Sequence, residues 1–275
     1  MNFIFRKVTY VIYFITVLTI ASNFTQSVYC QSIQTHSFSD CLMAQARSYI
    51  HTPYKAGTLE VSGDERLVCT SENFDCVTYV EYILSLCLYQ YQTSKNTKAF
   101  ETILTELRYR NGRINGYGSR LHYFSEWILQ QEKNGLIKNI TSEIPSSRHY
   151  DKKINFMTVH KEKYPKLKVG KNLNKILAAE AAINQHKWSY IPKSGVPKIY
   201  ASIKDGDIIA ITTDKKGLDI VHTGFAIKKG NEVYLLHASE TEKKVVVSEK
   251  SLHHYLMGND KQSGIMVLRC TQSAF

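Results

Sequence analysis

The sequence is poor in the residues that build linkers between modules. Only five prolines and 14 glycines occur in 275 residues, and no stretch concentrates either. We find no internal repeat and no low-complexity tract, so an array of flexibly joined units is excluded. With 43% hydrophobic and 21% charged residues, the chain has ordinary globular composition and is long enough for one large or two small domains.

Long hydrophobic runs are also scarce. The run VTYVIYFITVLTIA (8–21) has 14 residues, whereas a bilayer span needs about 20. It follows a short basic start, which is the pattern of a secretory signal peptide. We therefore expect a signal peptide at 1–30, cut after Ala21 or near Cys30, and no stable membrane insertion after its removal. The expected location is the periplasm, with secretion or lipid anchoring at Cys30 as alternatives.

Acidic residues are outnumbered, 24 against 35 basic ones, and the formal net charge is +11. Because the first 30 residues hold Arg6, Lys7 and no acid, the remainder carries +9. Such a charge favours anionic partners. For an exported protein we expect a cell wall or membrane surface and no nucleic acid; solubility alone is the alternative.

Short-spaced metal motifs are missing, since neither CxxC nor HExxH occurs. We therefore expect no metal and no cofactor, although a Cys-His-His set of zinc ligands stays open. Removal of Cys30 leaves five cysteines, an odd number that keeps at least one thiol free. A disulfide bond between Cys69 and Cys76 would leave neither of these thiols free. The pairing of the other cysteines is not deducible.

The most informative residue is Cys76, in the segment NFDCV at 73–77. Asp75 is a suitable N-cap for the apolar run that follows, which places Cys76 at the first position of a helix. The free N–H groups and the dipole of a helix start favour the thiolate, which is the nucleophilic form. The alternative is an inert, buried cysteine.

Hydrophobic periodicity predicts an α+β fold with an antiparallel sheet and a helical elaboration over 95–200. Helices are expected at 41–51 with Asp40 as N-cap, from 76 onward, and at 97–109, 123–134, 172–186 and 250–257. A strand and a loop are expected over 150–170. Strands are expected at 207–213, 222–229, 232–239, 244–248 and 264–270.

The strands HTGFAIKK and EVYLLHAS are joined through Lys229-Gly230. A two-residue loop at these positions pairs His222 directly with His237, on one face of the sheet. If the start of the Cys76 helix packs on that face, a thiol and two imidazoles come together.

The chemistry would then be nucleophilic catalysis. His222 would take the thiol proton and return it to the leaving amine, and His237 would orient the first ring. The N–H of Cys76 and the hydroxyl of Tyr54 are the expected donors to the oxyanion.

Three sequence blocks resemble the NlpC/p60 superfamily of papain-like cell-wall hydrolases. They are HTPYKAG (51–57), FDCVTYVE (74–81), and HTGFAI (222–227) together with LLHAS (235–239). Val77-Thr78 departs from the Ser-Gly that more often follows the cysteine in that superfamily. Over residues 40–270 the chain is similar to one branch, the N-acetylmuramoyl-L-alanine amidase-like family, on the blocks SRLHYFSEWI (119–128), SYIPK (189–193) and DGDIIAITTDKKGLDIVHTG (205–224).

The resemblance implies a single papain-like hydrolase domain over 31–275, with Cys76 as nucleophile, His222 as base and His237 as orienting group. It implies peptidoglycan fragments as substrates, cut between N-acetylmuramic acid and L-alanine, with a preference for anhydro-muropeptides that carry a free stem peptide. Two alternatives stay open: a γ-D-glutamyl-diamino-acid endopeptidase and a non-catalytic wall-binding module.

The region 108–127 offers candidate substrate-binding residues. Arg113 and Arg120 could bind carboxylates as bidentate forks. Tyr117 and Tyr123 present ring faces for stacking, and His122 presents a hydrogen-bonding ring. The alternative is that Tyr123 and Trp127, four residues apart, belong to the core stripe of one helix.

Overall fold

The computed structural model describes residues 37–92 and 97–271. The expected signal peptide at 1–30 lies outside this part of the chain. Within the described residues, no helix is both long enough and apolar enough to cross a bilayer.

The α-helices follow the amphipathic and apolar runs of the sequence. They are α1 (Phe38–Ser48), α2 (Cys76–Gln90), α3 (Phe100–Arg108), α4 (Phe124–Lys133), α5 (Phe156–Val159), α6 (Gly170–Gln185) and α7 (Leu252–Met257). Short 3-10 helices join several of them, including Tyr117–Ser119, Lys161–Lys163 and Pro165–Lys168. Asp40 lies inside the first turn of α1, so it is not the N-cap that the sequence predicts.

The strands form one antiparallel sheet. They are β1 (Ile137–Asn139), β2 (Arg148–His149), β3 (Ser189–Pro192), β4 (Ile208–Thr213), β5 (Ile220–Lys229), β6 (Glu232–Ser239), β7 (Lys244–Val247) and β8 (Gln262–Cys270). Their order is β2-β3-β8-β4-β5-β6-β7, and β1 also pairs with β8. The predicted α+β class with an antiparallel sheet is confirmed.

The region 95–200 is less regular than the sequence predicts. Residues 150–170, expected as a strand and a loop, consist mainly of short helical turns. The same region adds β1, β2 and β3 to the sheet. These strands have two to four residues, too few to show the alternation by which a strand is recognised.

The turn between β5 and β6 lies one residue beyond the predicted position. Lys229 pairs with Glu232, so the loop is formed by residues 230–231 and not by 229–230. Gly230 has a φ of +60°, a left-handed value that glycine adopts without strain.

This register makes the predicted direct pairing of His222 with His237 wrong. Gly224 now lies across from His237, and the two histidines are diagonal neighbours. The shift leaves the alternation of side chains intact, because it moves the pairing by two residues. Both imidazoles therefore still leave the same face.

The two faces of the sheet are covered by different helices. On one face, α2 contributes Ile83 to an apolar cluster that contains Phe225 of β5. On the other face, Leu252 of α7 packs with Ala226 of β5. Because His222 and Ala226 are four residues apart along β5, their side chains share a face, and the histidines lie on the α7 face. The body of α2 therefore packs on the face opposite to the histidines, and only its amino end, with Cys76, can approach them.

A disulfide bond between Cys41 and Cys87 joins α1 to α2. Cys69, Cys76 and Cys270 are free thiols. The bridge between Cys69 and Cys76 that would have silenced the candidate nucleophile is not formed.

Candidate active site

The start of α2 is fixed by a reciprocal cap. The Asp75 carboxylate accepts hydrogen bonds from the amides of Val77 (3.1 Å) and Thr78 (2.8 Å), and the Asp75 amide donates to the Thr78 hydroxyl at 2.9 Å. This is a capping box, which satisfies the first amides of a helix from both directions. The prediction that Asp75 is the N-cap and Cys76 the first helical residue is confirmed.

The Cys76 sulfur reaches the sheet where two strands separate. The pairing of β5 with β6 ends at Phe225, so the next amide that points toward β6, that of Thr223, has left the ladder. This amide and those of Cys76 and Val77 act on the Cys76 sulfur and lower the pKa of its thiol. The sulfur therefore lies against the backbone of the residue that follows His222, although α2 packs on the opposite face.

The two histidines form a direct hydrogen bond. Nε2 of His222 lies 2.6 Å from Nδ1 of His237, and the ring planes are 85° apart. His237 is buried with 1% of its surface exposed, whereas His222 and Cys76 keep partial exposure. A ligand can therefore reach the sulfur and the first ring, while the second ring supports the first from inside.

Burial keeps both imidazoles neutral. It lowers the pKa of His222 to about 4 and that of His237 to about 3, where the neighbouring ring also contributes. In a hydrogen-bonded pair of neutral rings, one nitrogen carries the shared proton and the other accepts it. Each ring therefore has a defined tautomer that the other one fixes.

The pKa of the Cys76 thiol contradicts the expectation from helix position. Burial, reinforced by the Asp75 carboxylate, raises it to about 12. The amide groups at the helix start and from Thr223 lower it, as expected, but by less. The thiol is therefore protonated in the resting protein and needs a base to become a nucleophile.

Tyr54, the predicted oxyanion donor, lies close to the start of α2. Its backbone forms a short parallel bridge with Phe74, two residues before the cysteine, and its amide donates to Lys243 at 2.8 Å. Burial raises the pKa of the phenol, and the Glu240 and Asp75 carboxylates, together with Cys76 at a pH where its thiol ionises, add to this effect. Tyr54 is therefore a hydrogen-bond donor.

The sequence gives no sign of a second tyrosine at the site, Tyr255 of α7. Its ring centroid lies 5.4 Å from that of His237 and 6.4 Å from that of His222. Burial raises the pKa of its phenol, as does Cys76 at a pH where its thiol ionises, and the Gln262 side chain acts in the opposite direction. The sequence predicts the helix at 250–257 but not its packing over β5 and β6, which brings Tyr255 to the histidines.

Arg120 is engaged inside the protein. Its side chain is 5% exposed and forms ion pairs with Glu60 (2.9 Å) and Glu65 (3.2 Å). Its guanidinium also covers the Tyr117 ring at 4.8 Å, and Lys166 lies 5.6 Å from the same ring. The predictions of Arg120 as a free carboxylate fork and of Tyr117, 4% exposed, as a stacking surface are therefore wrong.

Tyr123 is also internal. It is 2% exposed, and its hydroxyl donates to Glu180 at 2.7 Å and accepts from the amide of Met157 at 2.7 Å. Its predicted role as a stacking surface is wrong. Trp127, 1% exposed, belongs to the core, as the alternative interpretation holds.

His122 and Arg113 differ from these buried residues. Nε2 of His122 donates to the Tyr117 carbonyl at 2.8 Å, and burial lowers the pKa of the ring to about 3. Only its other nitrogen is left for a ligand. Arg113 is exposed and stays a predicted substrate contact.

The assembled groups fit acyl transfer. They comprise a thiol, a neutral base, a second ring that fixes the tautomer of the base, and phenol donors. In the described part of the chain, no three His, Cys, Asp or Glu side chains are arranged to hold a metal ion.

This chain belongs to the N-acetylmuramoyl-L-alanine amidase-like family, and residues 44–265 match the sequence pattern of that family. A crystal structure of an N-acetylmuramoyl-L-alanine amidase from Bacteroides uniformis is 38% identical, with a TM-score of 0.78 over 86% of this chain and 99% of that one. A xylanase candidate from Bacteroides fragilis is also 38% identical, with a TM-score of 0.73 over 82% and 99%.

A structure from Legionella pneumophila, 24% identical with a TM-score of 0.67 over 93% of this chain and 96% of that one, shares the fold. No curated protein matches the chain. Membership of this family and the likeness to the Bacteroides uniformis structure support amidase activity.

Proposed function

We propose that the protein is a cysteine amidase that hydrolyses the bond between N-acetylmuramic acid and L-alanine in peptidoglycan fragments. One observation carries the proposal: the Cys76 sulfur lies against the backbone amide of Thr223, the residue that follows His222 of the hydrogen-bonded His222–His237 pair. Membership of the amidase-like family and the likeness to the amidase from Bacteroides uniformis support the choice of this bond as the one that is cut. The order of thiol, base and orienting ring supports placement in the papain-like NlpC/p60 superfamily.

The tautomers follow from the ring geometry. Nε2 of His222 is occupied by His237, so Nδ1 is the nitrogen left for the thiol proton. Nδ1 accepts a proton only if the ring carries its own on Nε2, which then donates to Nδ1 of His237. This bond holds His222 in the basic tautomer and stabilises the imidazolium that forms during the reaction.

The first half of the reaction transfers the muramoyl acyl group to sulfur. His222 takes the thiol proton as sulfur attacks the amide carbon, and the carbonyl oxygen becomes an oxyanion. The Cys76 amide and the Tyr54 hydroxyl are the proposed donors to it. Collapse breaks the carbon–nitrogen bond, and His222 gives its proton to the departing amine of L-alanine.

The second half consumes water. His222, now neutral, takes a proton from water, whose oxygen attacks the thioester. Collapse of that intermediate releases the muramoyl carboxyl product, and the proton on His222 returns to the Cys76 sulfur. The cycle leaves a free stem peptide and the intact sugar, and the enzyme regains its neutral resting state.

The proposed substrates are anhydro-muropeptides with a free stem peptide, which a protein exported by a signal peptide would meet in the periplasm. Arg113, exposed and basic, is the remaining predicted contact for a stem-peptide carboxylate. The xylanase candidate suggests another substrate, but glycoside hydrolysis uses a pair of carboxyl groups. The reactive groups here are a thiol and two imidazoles, so xylan serves as a negative control.

The test is to incubate the protein with defined anhydro-muropeptides and identify the products by mass. Release of the complete stem peptide supports the amidase. Sugar that retains L-Ala-D-Glu would identify an endopeptidase, and retention on murein without any product would identify a binding module. Either of these results contradicts the proposal.

Substitutions test the cysteine mechanism, whereas the product assay tests which bond is cut. Cys76→Ala should abolish turnover without unfolding the protein, because the first helical position tolerates alanine. The matched control is Cys69→Ala, which removes a free, exposed thiol and should keep full activity. His222→Ala should leave almost no activity and His237→Asn partial activity, because another hydrogen-bonding side chain can orient the base. Activity in Cys76→Ala would end the cysteine mechanism.

A further inference from the structure

Residues 159–177 form a basic segment that the proposed reaction does not use. It contains six lysines and one acidic residue, Glu162. Lys161, Lys163, Lys168 and Lys171 are exposed, and Lys166 and Lys175 are partly exposed. Much of the positive charge of the protein is therefore presented on one stretch of surface.

The same segment exposes large apolar side chains. Val159, Val169 and Leu177 are 59%, 58% and 48% exposed, and they are half of the exposed large hydrophobic residues among those described. Val169 is also the N-cap of α6 and makes no side-chain capping bond. Valine is among the least favourable N-caps, so helix stability does not explain its presence.

The solvent face of α6 has an unusual composition for an exposed helix surface. Its exposed residues include Lys171, Asn174, Leu177, Ala178 and Ala181, and none of its exposed residues is acidic. The one acidic residue of the helix, Glu180, points inward and binds Tyr123 and Thr158. Solvated helix faces ordinarily carry charges of both signs.

The elements that carry these side chains pack against one another. The 3-10 helix Pro165–Lys168 packs against both Lys161–Lys163 and α6. The Lys175 ammonium binds the carbonyl of Asn115, whose neighbour Ile114 is 38% exposed. We call this surface, which comprises the basic segment and residues 114–115, the basic-apolar face.

We propose that the basic-apolar face docks the protein on an anionic lipid bilayer. Lysines attract the anionic headgroups, and the exposed valines and leucine enter the boundary between headgroups and acyl chains. A polyanionic polymer would use the lysines but give no role to the apolar residues. A second copy of the chain would place like charges against each other.

The test is co-sedimentation of the protein with vesicles of phosphatidylcholine, with or without phosphatidylglycerol. The charge variant combines Lys161→Glu, Lys168→Glu and Lys171→Glu. Its matched control combines Lys198→Glu, Lys228→Glu and Lys250→Glu, which changes net charge equally at exposed lysines elsewhere.

An apolar variant tests the second half of the proposal. It combines Val159→Ser, Val169→Ser and Leu177→Gln, and its control is Met257→Gln, which alters an exposed apolar residue of α7. Val169→Ser places a good N-cap at α6, so this variant should fold. Circular dichroism and amidase turnover on soluble muropeptides confirm that all variants are intact.

The wild type should bind vesicles that contain phosphatidylglycerol and dissociate as salt increases. Loss of three lysines near a lipid surface should weaken binding by about 100-fold or more, whereas the lysine control should bind nearly as well as the wild type. The apolar variant should also bind more weakly than its control. Absence of vesicle binding, equal loss in both lysine variants, or binding that ignores the apolar substitutions would overturn the proposal. Self-association through Leu177, seen by sedimentation velocity, would overturn it as well.

Discussion

Gly224 occupies the tightest position of the candidate site. A Cβ atom at this position would lie 2.7 Å from the Leu236 carbonyl oxygen and 2.8 Å from the Cβ atom of His237. Carbon atoms do not approach so closely without displacement, and the first neighbour is strand backbone, which cannot rotate away. We therefore predict that Gly224→Ala displaces His237 while leaving Cys76 and the capping box in place.

The magnitude follows from the geometry. Overpacking by one methyl group in a close-packed interior costs about 1–3 kcal/mol, which corresponds to a melting temperature lower by about 2–4 °C per kcal/mol for a domain of this size. The effect on catalysis should be larger, because the His222–His237 bond of 2.6 Å leaves no room for displacement. Misplacement of a catalytic group by about 1 Å can reduce the rate about 100-fold, which is the loss in kcat/KM that we expect.

The assay is muropeptide turnover beside a thermal melt. The matched control is Gly195→Ala, where a Cβ atom would make ordinary contacts of 3.5 Å with Ile191 and 3.7 Å with Ser146. This variant should keep activity within about twofold of the wild type, as is usual for a substitution that fits. A folded Gly224→Ala protein with full activity would refute the argument that the position of His237 controls the base.

Three further predictions concern the resting state and the framework. Both groups are neutral between the pKa of His222, about 4, and that of Cys76, about 12. We therefore expect kcat/KM to rise as pH increases through about 4 and then to stay flat to about pH 10. A narrow bell-shaped profile centred near neutrality would contradict this prediction. The Cys41–Cys87 bond closes a loop with a sequence separation of 46, so its reduction should lower the free energy of unfolding by about 4 kcal/mol in a urea titration; no measurable change would contradict this. Glu81→Gln leaves its arginine partner buried and unpaired, and the same titration should show a loss of about 3–5 kcal/mol, whereas a loss below about 1 kcal/mol would show that the pair is not needed.

Local signals predicted the chemistry-bearing elements well. Asp75, with an apolar run behind it, predicts both the helix start and the position of Cys76, because a capping box is encoded within four residues. The histidine pair was predicted with the wrong turn and still comes together. The predicted and observed registers differ by two residues, and side chains return to the same face after two residues.

Tertiary packing explains what the sequence did not predict. Arg120 and Tyr123 have the residue types of a binding surface, but their partners Glu60, Glu65 and Glu180 are distant in sequence, and only folding reveals that they are occupied. Tyr255 reaches the histidines because α7 covers their face of the sheet. A residue type does not report whether a side chain faces solvent or an internal partner.

Two opposing effects act on the pKa of the Cys76 thiol, and the larger one decides its direction. The amides at the helix start stabilise the thiolate. Removing the thiolate charge from water costs more free energy than the amides provide, so the pKa of Cys76 rises. A neutral thiol is a poor target for oxidants and alkylating agents, since the thiolate is the reactive form. In the proposed mechanism the site therefore rests in an unreactive state, and the proton passes to His222 as the sulfur attacks the bound substrate. In that mechanism the Cys76 amide, which does not suffice to ionise the free thiol, would stabilise the negative charge that develops on the substrate oxygen.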